Sequence, residues 1–337
     1  MALAVYQSVI LPAVETYIQD VVSSLEASND EGLSEMLSYH LGWTGDGAGP
    51  EAAGKRIRPL VVALTAEASG GSWEASLPAG AAVELLHNFS LIHDDIEDHS
   101  PLRRGRPTVW SRWGIPHAIN AGDALFSMAN RTILDLAESA SERTALEAAR
   151  LLQDTCIDLT RGQYLDLSYE KRLDLTTADY WPMVGGKTAA LLRCCTELGA
   201  ILGEPDKSRR AALRDFGYNL GLAFQVRDDL LGIWGNSSET GKSSESDLID
   251  GKKSLPILYG LEKGGDFARR WRDGPILPGE AEALADLLAD EGAYDFTLTA
   301  AEELTLKART SLSAAELEGR AADALLELLE LLLNRSR

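Results

Sequence analysis

The run Leu85–Trp110, LLHNFSLIHDDIEDHSPLRRGRPTVW, joins an apolar helix, an acidic cluster and a basic turn. Asp94, Asp95 and Asp98 stand at i, i+1 and i+4, a spacing that gathers carboxylates on one side of a helix end. Unpaired, such anions repel and shift one another's pKa, so a cation is expected among them. With oxygen donors alone the natural cation is Mg2+, which keeps waters and shares its shell with phosphate oxygens. Arg103, Arg104 and Gly105 follow, placing fixed positive charge in a turn. Acid cluster and basic turn together suit a metal-bridged diphosphate.

An acidic helix end is more often plain solvated surface. Here the preceding segment argues otherwise. Ala81–Ile96 is mostly apolar, through Val83, Leu85, Leu86, Phe89, Leu91, Ile92 and Ile96, so the carboxylates end a buried helix. His87, Ser90, Asp94 and Asp98 fall at i, i+3, i+7 and i+11, one polar stripe along it. Such a stripe reads as the wall of a cavity.

Composition bounds the rest. The chain has 337 residues, 45% hydrophobic and 25% charged, as in an ordinary globular protein. A formal net charge of −20 argues against nucleic acid or an anionic membrane surface as partner. The first six basic residues are Lys55, Arg56, Arg58, Arg103, Arg104 and Arg106, two tight clusters in an acidic background. They read as anion sites. Cys156, Cys194 and Cys195 offer neither a disulfide framework nor metal-ligand spacing, which fits a reducing cytoplasm. The N-terminal stretch lacks a basic region, and Gln7, Glu15 and Asp20 interrupt its apolar residues, unlike a signal peptide. No apolar run is long enough to span a bilayer, so stable membrane insertion is not expected.

Helical period dominates. Residues 3–40 read as one or two amphipathic helices, followed by a loop over 43–54. Helices are predicted at about 58–69, 79–98, 117–138, 142–168, 177–203 and 207–234. A polar loop over Gly235–Lys253 precedes a helix at Leu255–Glu262 and a loop through Pro278. Further helices are predicted at about 280–291, 297–310 and 313–334, with no alternating strand. The pattern predicts an all-α fold and a single domain over 1–337.

One echo matters. FQVRDDLLG, Phe224–Gly232, again puts paired aspartates, Asp228 and Asp229, near the end of an apolar helix. Lys242, Lys252 and Lys253 follow, and Gln225 lies one turn before Asp228. Two such helix ends facing each other would enclose a diphosphate between carboxylate-bound metals.

With these motifs in order, the chain resembles the trans-isoprenyl diphosphate synthases, the polyprenyl synthetase family. The resemblance runs from about Lys55 to Lys253 through GKRIRP, the histidine of ELLHNFSLIHDD, DDIED, LRRGRP, GQYLDL, GGKTA, FQVRDD, TGK and DGKK. It implies a large helical bundle of the isoprenoid synthase type with a central active-site cavity. It implies that Lys55, Arg58, His87 and Arg104 bind isopentenyl diphosphate. Asp94, Asp95, Asp98, Asp228 and Asp229 would hold Mg2+, three ions per site with Mn2+ as a substitute. Arg103, Lys187, Lys242 and Lys252 would contact the allylic diphosphate, with Thr188, Gln163, Asp166 and Gln225 as secondary polar groups. A homodimer through helices at 117–138 and 142–160 is also implied.

Two departures stand out. Ala53-Gly54-Lys55 replaces Gly-Gly-Lys, and Gly232 stands where many members carry a third acid. If Asp228 suffices for the metal, Gly232→Asp is expected to change little. Arg335 and Arg337 read as a basic tail.

Rival readings are a class I terpene cyclase and a non-catalytic prenyltransferase subunit. A cyclase has no role for Lys55, Arg58 and Arg104, and a non-catalytic subunit would lose an aspartate pair or the GKRIRP cations. Product length rests on Phe89 and Ser90, five and four residues before Asp94. With Ser90 near and Phe89 far, the pattern looks most like geranylgeranyl diphosphate synthases, with farnesyl or a twenty-five-carbon product as alternatives. At roughly 3.6 residues per turn Ser90 lies about 40° around from Asp94 and Phe89 about 140°.

Overall fold

A computed structural model describes residues 2–24, 31–235 and 246–333. The fold is all-α apart from one short hairpin among the described residues. The chain divides into two compact units. The first comprises the described residues of Met1–Gln153, with Cys195–Asp206 and Leu317–Leu325; the second those of Asp154–Cys194, Lys207–Glu316 and Leu326–Arg337.

In the first unit α1 (Ala2–Ser23), α2 (Glu31–His40), α3 (Ile57–Ala68) and α4 (Leu77–Glu97) precede the hairpin and α5 (Ile115–Thr132). The central element is α4. Every residue from Pro78 to Leu86 is buried, because LPAGAAVELL is apolar or small except at Glu84, whose carboxylate pairs with Arg56. Its small residues let neighbours come close, with Gly80 packed on Pro59. Leu85, Leu86 and Ile92 are at most 1% exposed, and each contributes about 1.5–3 kcal/mol by leaving water.

Strands β1 (Leu102–Arg103) and β2 (Arg106–Pro107) pair antiparallel, Arg103 opposite Arg106. Between them Arg104 and Gly105 have φ of 51° and 73°, both in the left-handed region that a tight two-residue hairpin turn demands. Glycine adopts it freely; Arg104 does so at a cost that tends to persist at functional sites.

The second unit carries the C-terminal part of α6 (Glu142–Tyr169), then α7 (Thr177–Val184) and the segment Gly185–Ala189. It also holds the first residues of α8 (Ala190–Gly203), then α9 (Lys207–Trp234), α10 (Leu255–Lys263), α11 (Ala293–Ala314) and the second half of α12 (Arg320–Leu333); the rest of α8 and α12 belongs to the first unit. Within the second unit α9 packs along α11, burying Leu213, Phe216, Leu220 and Val226.

Several boundaries differ from expectation. The helix expected at 117–138 ends at Thr132 and continues as a 3-10 turn and a short helix, Leu136–Ser139. The expected helix 177–203 is interrupted by Gly185–Ala189, a π turn in which the Ala190 N–H bonds Gly185 O five residues back. Asp266–Arg272 is helical where a loop was expected, burying Phe267 and Trp271 one turn apart. The last helix begins at Arg320 because Gly319, at φ 87°, breaks the chain. Of the loop expected over 235–253, residues 236–245, with Lys242, lie outside the described residues, as do Arg335 and Arg337, and Ser246–Ile249 within it is a short helix.

Candidate active site

The expected stripe is accessible on an otherwise buried helix. His87, Ser90, Leu91 and Asp94 are half-buried and Asp98 exposed, while Asn88, Ile92 and Asp95 on the opposite side are buried. Ser90 Oγ donates to His87 O at 2.8 Å, capping its hydroxyl internally. Phe89 turns toward α5: its ring centroid lies 5.1 Å from Phe126 and 4.8 Å from His93. Phe126 is thus a candidate chain-length residue that the sequence pattern did not isolate.

Asp95 differs from its neighbours. It is 1% exposed, and Arg103 Nε donates to both carboxylate oxygens at 2.9 Å. Arg103 Nη2 adds a contact at 2.8 Å. Burial pushes the Asp95 carboxyl up from its ordinary value, against the opposing pull of Arg103. Asp95, expected as a metal ligand, holds the basic hairpin through Arg103, and Asp94 and Asp98 stand one turn apart beside it.

The basic residues also divide in two. Arg56 is buried between Glu84 at 2.8 Å and Glu15 at 3.0 Å. Arg106 donates to the carbonyls of Asp46, Tyr39 and Thr44 at 2.6–2.9 Å. These two pin loops. Lys55 and Arg104 are exposed and Arg58 is half-buried, its Nε enclosed without a partner. Arg104 Nη1 donates to Ala52 O at 2.7 Å, and its guanidinium lies where a side chain on Gly54 would be, Nη2 2.6 Å from that Cβ position. The glycine of AGKR therefore admits the arginine of the hairpin, joining two motifs 50 residues apart in sequence.

Two histidines sit among these cations. Burial first, then Arg58, Arg104, Arg103 and His40, holds His87 well below its usual pKa, so it is neutral. His40 is pushed down to about 3 by burial and by Arg103, Arg104 and Arg56. Its Nε2 is enclosed without a partner, and it lines a cavity of about 20 Å3 with Asp95, Arg103, Arg104 and Thr108, room for about one water. The sequence reading missed His40, whose only signal is its place at the end of α2.

The second unit repeats the division between paired aspartates. Asp228 is exposed; Asp229 is 4% exposed and accepts three hydrogen bonds. Tyr180 Oη donates at 2.7 Å, Leu255 N at 2.9 Å and Gln225 Nε2 at 2.9 Å. Burial, then the charge of Asp247, raises its carboxyl to about 7. Asp229, expected as a metal ligand, ties α9 to α7 and α10, and Asp228 beside it is exposed. Thr188 Oγ1 donates to Gln225 Oε1 at 2.9 Å, so Thr188 and Gln225 form a relay onto Asp229. Tyr180 was not foreseen.

Lys187 lies in the π turn and pairs with Asp166. A Cβ on Gly162 would stand 2.6 Å from Gly186 C and 2.7 Å from Lys187 Cα, so α6 and the turn touch backbone to backbone. The glycines of GQYLDL and GGKTA thus set the position of Lys187. Of the two lysines in DGKK, Lys253 is buried over Trp271, Nζ 4.9 Å from the ring, while Lys252 is exposed. Gly232 lies against the Asp247 carboxylate: a Cβ there would lie 2.6 Å from Asp247 Cγ.

Among the described residues no three His, Cys, Asp or Glu side chains converge as a ready-made metal cluster. Asp94, Asp98 and Asp228 are accessible hard oxygen donors. One or two carboxylates completed by water and phosphate oxygens is the habit of Mg2+, so these residues fit that ion.

Comparison with known proteins agrees with this geometry. The polyprenyl synthetase family model matches residues 49–272. The chain is 45% identical over 240 residues to a geranylgeranyl diphosphate synthase of Mycobacterium tuberculosis, covering 71% of this chain and 68% of that one. It is 41% identical over 277 residues to a (2E,6E)-farnesyl diphosphate synthase of Mycobacterium bovis, covering 82% and 74%. A crystal structure of a polyprenyl synthetase from Streptomyces coelicolor A3(2) superposes with a TM-score of 0.86 at 35% identity, covering 98% of each chain. An all-α chain with aspartate helices and basic loops is thereby placed. It belongs to the polyprenyl synthetase family and is a short-chain prenyltransferase.

Proposed function

We propose that the protein condenses isopentenyl diphosphate head-to-tail with an allylic diphosphate and releases geranylgeranyl diphosphate. The observation that carries this reading is the repeated pairing of a buried, hydrogen-bonded aspartate with a more accessible one: Asp95 beside half-buried Asp94, and Asp229 beside exposed Asp228. Each helix end is thereby braced while offering a carboxylate to a ligand. Both relatives' names, geranylgeranyl and farnesyl diphosphate synthase, support the substrate class.

In this reading Asp94, Asp98 and Asp228 hold Mg2+, three ions per site, and the bound ions supply charge stabilisation to the departing diphosphate. Arg103, Lys187 and Lys252, with Lys242, bind the allylic diphosphate by charge-assisted hydrogen bonds. Arg103 does so with the guanidinium N–H groups that Asp95 does not hold. Lys55, Arg58, Arg104 and neutral His87 bind isopentenyl diphosphate. Fixed cations aimed where negative charge develops are usually the largest contribution to catalysis. The proton lost on forming the new alkene goes to the released diphosphate. Apolar walls around Phe89 and Ser90 shield the allylic cation from water and limit the product to twenty carbons. Both compact units act as one synthase domain, and the protein works as a homodimer in the cytoplasm.

The test separates the two diphosphates. Asp94→Ala and Asp228→Ala should each lower turnover by orders of magnitude, since each removes a ligand from ions that stabilise the transition state. Lys55→Ala and Arg58→Ala should raise KM for isopentenyl diphosphate more than for the allylic substrate; Lys187→Ala should do the reverse. Each lost contact is worth roughly 1.5–3 kcal/mol. Near-parental turnover in either aspartate variant overturns the reading.

A further inference from the structure

Arg56 stands between Lys55 and Arg58 in sequence but turns inward. It is 6% exposed, whereas Lys55 is exposed and Arg58 half-buried. Its backbone, at φ 47° and ψ 39°, lies in the left-handed region immediately before α3. For a residue other than glycine that conformation is costly and lasts only where the surroundings over-determine it. They do so here. Arg56 Nη1 donates to Glu84 Oε1 at 2.8 Å, Nε to Glu15 Oε2 at 3.0 Å and Nη2 to Leu41 O at 3.3 Å. One guanidinium thus ties α1, the end of α2 and α4 to the turn that opens α3. Its planar fork is rigid, so fixed acceptors fix the backbone that carries it.

Glu84 is the inner partner. It is 4% exposed, and Asn88 Nδ2 donates to its Oε1 at 3.1 Å and to its carbonyl at 2.8 Å. It lies one turn before His87 on α4, so its bond to Arg56 joins the segment of Lys55 and Arg58 to the helix of His87. Burial lowers the pKa of Arg58 and Arg104, and the charge of Glu84 is the largest influence opposing it. One buried carboxylate therefore sits beneath three arginines. A backbone rotation at 56 would swing Lys55 on one side and Arg58 on the other. A misplacement of about 1 Å in such a site can cost about a hundredfold.

We propose that Arg56 is a positioning residue for the isopentenyl diphosphate site, setting Lys55 and Arg58 against His87 through its buried pair with Glu84. This rests on the reading of Lys55, Arg58 and His87 as contacts to that diphosphate.

The test separates position from charge and from stability. Full-length parent, Glu84→Gln, Arg56→Lys, Arg56→Gly and Arg56→Gly/Glu84→Gln are measured for kcat, for KM of each substrate and for Tm. On charge alone, removing Glu84 would tighten an anion site. Positioning demands the opposite, so Glu84→Gln should raise KM for isopentenyl diphosphate at least about fivefold, with kcat and allylic KM within about threefold. Arg56→Lys keeps the charge without the fork and should move KM the same way. Arg56→Gly relieves the left-handed turn but leaves Glu84 unpaired, and should raise that KM at least about tenfold while lowering Tm. The double variant removes the unpaired charge, so Tm should recover while KM stays raised.

An unchanged or lowered KM for isopentenyl diphosphate in Glu84→Gln overturns the proposal. So does a KM that recovers together with Tm in the double variant, since the pair would then serve stability alone. If Arg56→Gly does not fold, Arg56→Lys reads the same claim, and a parent-like KM there overturns it. Lys55→Ala separates the two levels. A parent-like KM for isopentenyl diphosphate in that variant removes the reading of the site and the proposal with it. A raised KM there, beside unmoved values in the Arg56 variants, removes the proposal alone.

Discussion

Replacing Arg103 by glutamine tests how the basic hairpin is held. In the parent the guanidinium makes three short contacts, 2.8–2.9 Å, to a carboxylate that is 1% exposed. Removing one partner of a buried ion pair costs about 3–5 kcal/mol, because the other charge is left uncompensated. The Arg103 side chain is 31% exposed, so solvent screens part of this, and about 2–3 kcal/mol is expected. Each kcal/mol moves Tm by roughly 2–4 °C at 150–250 residues and by less in a longer chain, so a fall of at most about 12 °C is expected. The assay is thermal unfolding in chelator at pH 7, without substrates.

The pH dependence has a definite sign. The Asp95 carboxyl is already raised by burial, and loss of Arg103 raises it further. A group whose folded pKa exceeds its unfolded one binds more protons when folded, so stability falls as pH rises through that window. Arg103→Gln should therefore lose less, relative to parent, at pH 5 than at pH 7. Asp95→Asn added to Arg103→Gln should recover most of the loss, because no buried charge remains. Equal Tm for parent and Arg103→Gln at pH 7, or no recovery in the double variant, refutes the reasoning.

Other outcomes follow from the same geometry. Gly162→Ala forces a methyl onto the backbone of Gly186 and Lys187 and should cost at least about 1–3 kcal/mol by overpacking, together with allylic-substrate affinity; unfolding and KM measurements check both. His40 has a folded pKa of about 3 against 6.5 unfolded. It contributes stability that is full above pH 6.5 and is lost as pH falls below it, about 2 kcal/mol by pH 5 at 1.36 kcal/mol per unit. His40→Gln should flatten that fall, as read by Tm at pH 5 and 7. Phe89→Ala should lengthen the product by one or more isoprene units and Ser90→Phe should shorten it toward farnesyl; an unchanged product pattern in both places the limit elsewhere, with Phe126 the next candidate.

The helices were legible where burial leaves a period. α4 reads cleanly because an apolar segment carries one polar stripe, and the structure keeps that stripe accessible from His87 to Asp98. The hairpin was not legible, since strands of two residues cannot show alternation. The π turn was hidden because GGKTA continues the helical pattern on both sides of it.

Adjacent aspartates look equivalent in sequence, yet about 100° of helix separates them. Asp95 shares the face of Asn88 and Ile92, and Asp229 that of Leu222 and Gln225, so part of the distinction was available from spacing. His40 and Tyr180 were not available that way. Their roles come from partners distant in sequence, as with Tyr180 and Asp229, 49 positions apart.

The most direct measurement incubates purified protein with isopentenyl diphosphate and farnesyl diphosphate in Mg2+ and identifies the products by mass. Consumption of both substrates one for one, with geranylgeranyl diphosphate formed and no turnover in chelator, is the predicted result. Loss of the allylic diphosphate to a hydrocarbon or alcohol while isopentenyl diphosphate is untouched would contradict the account.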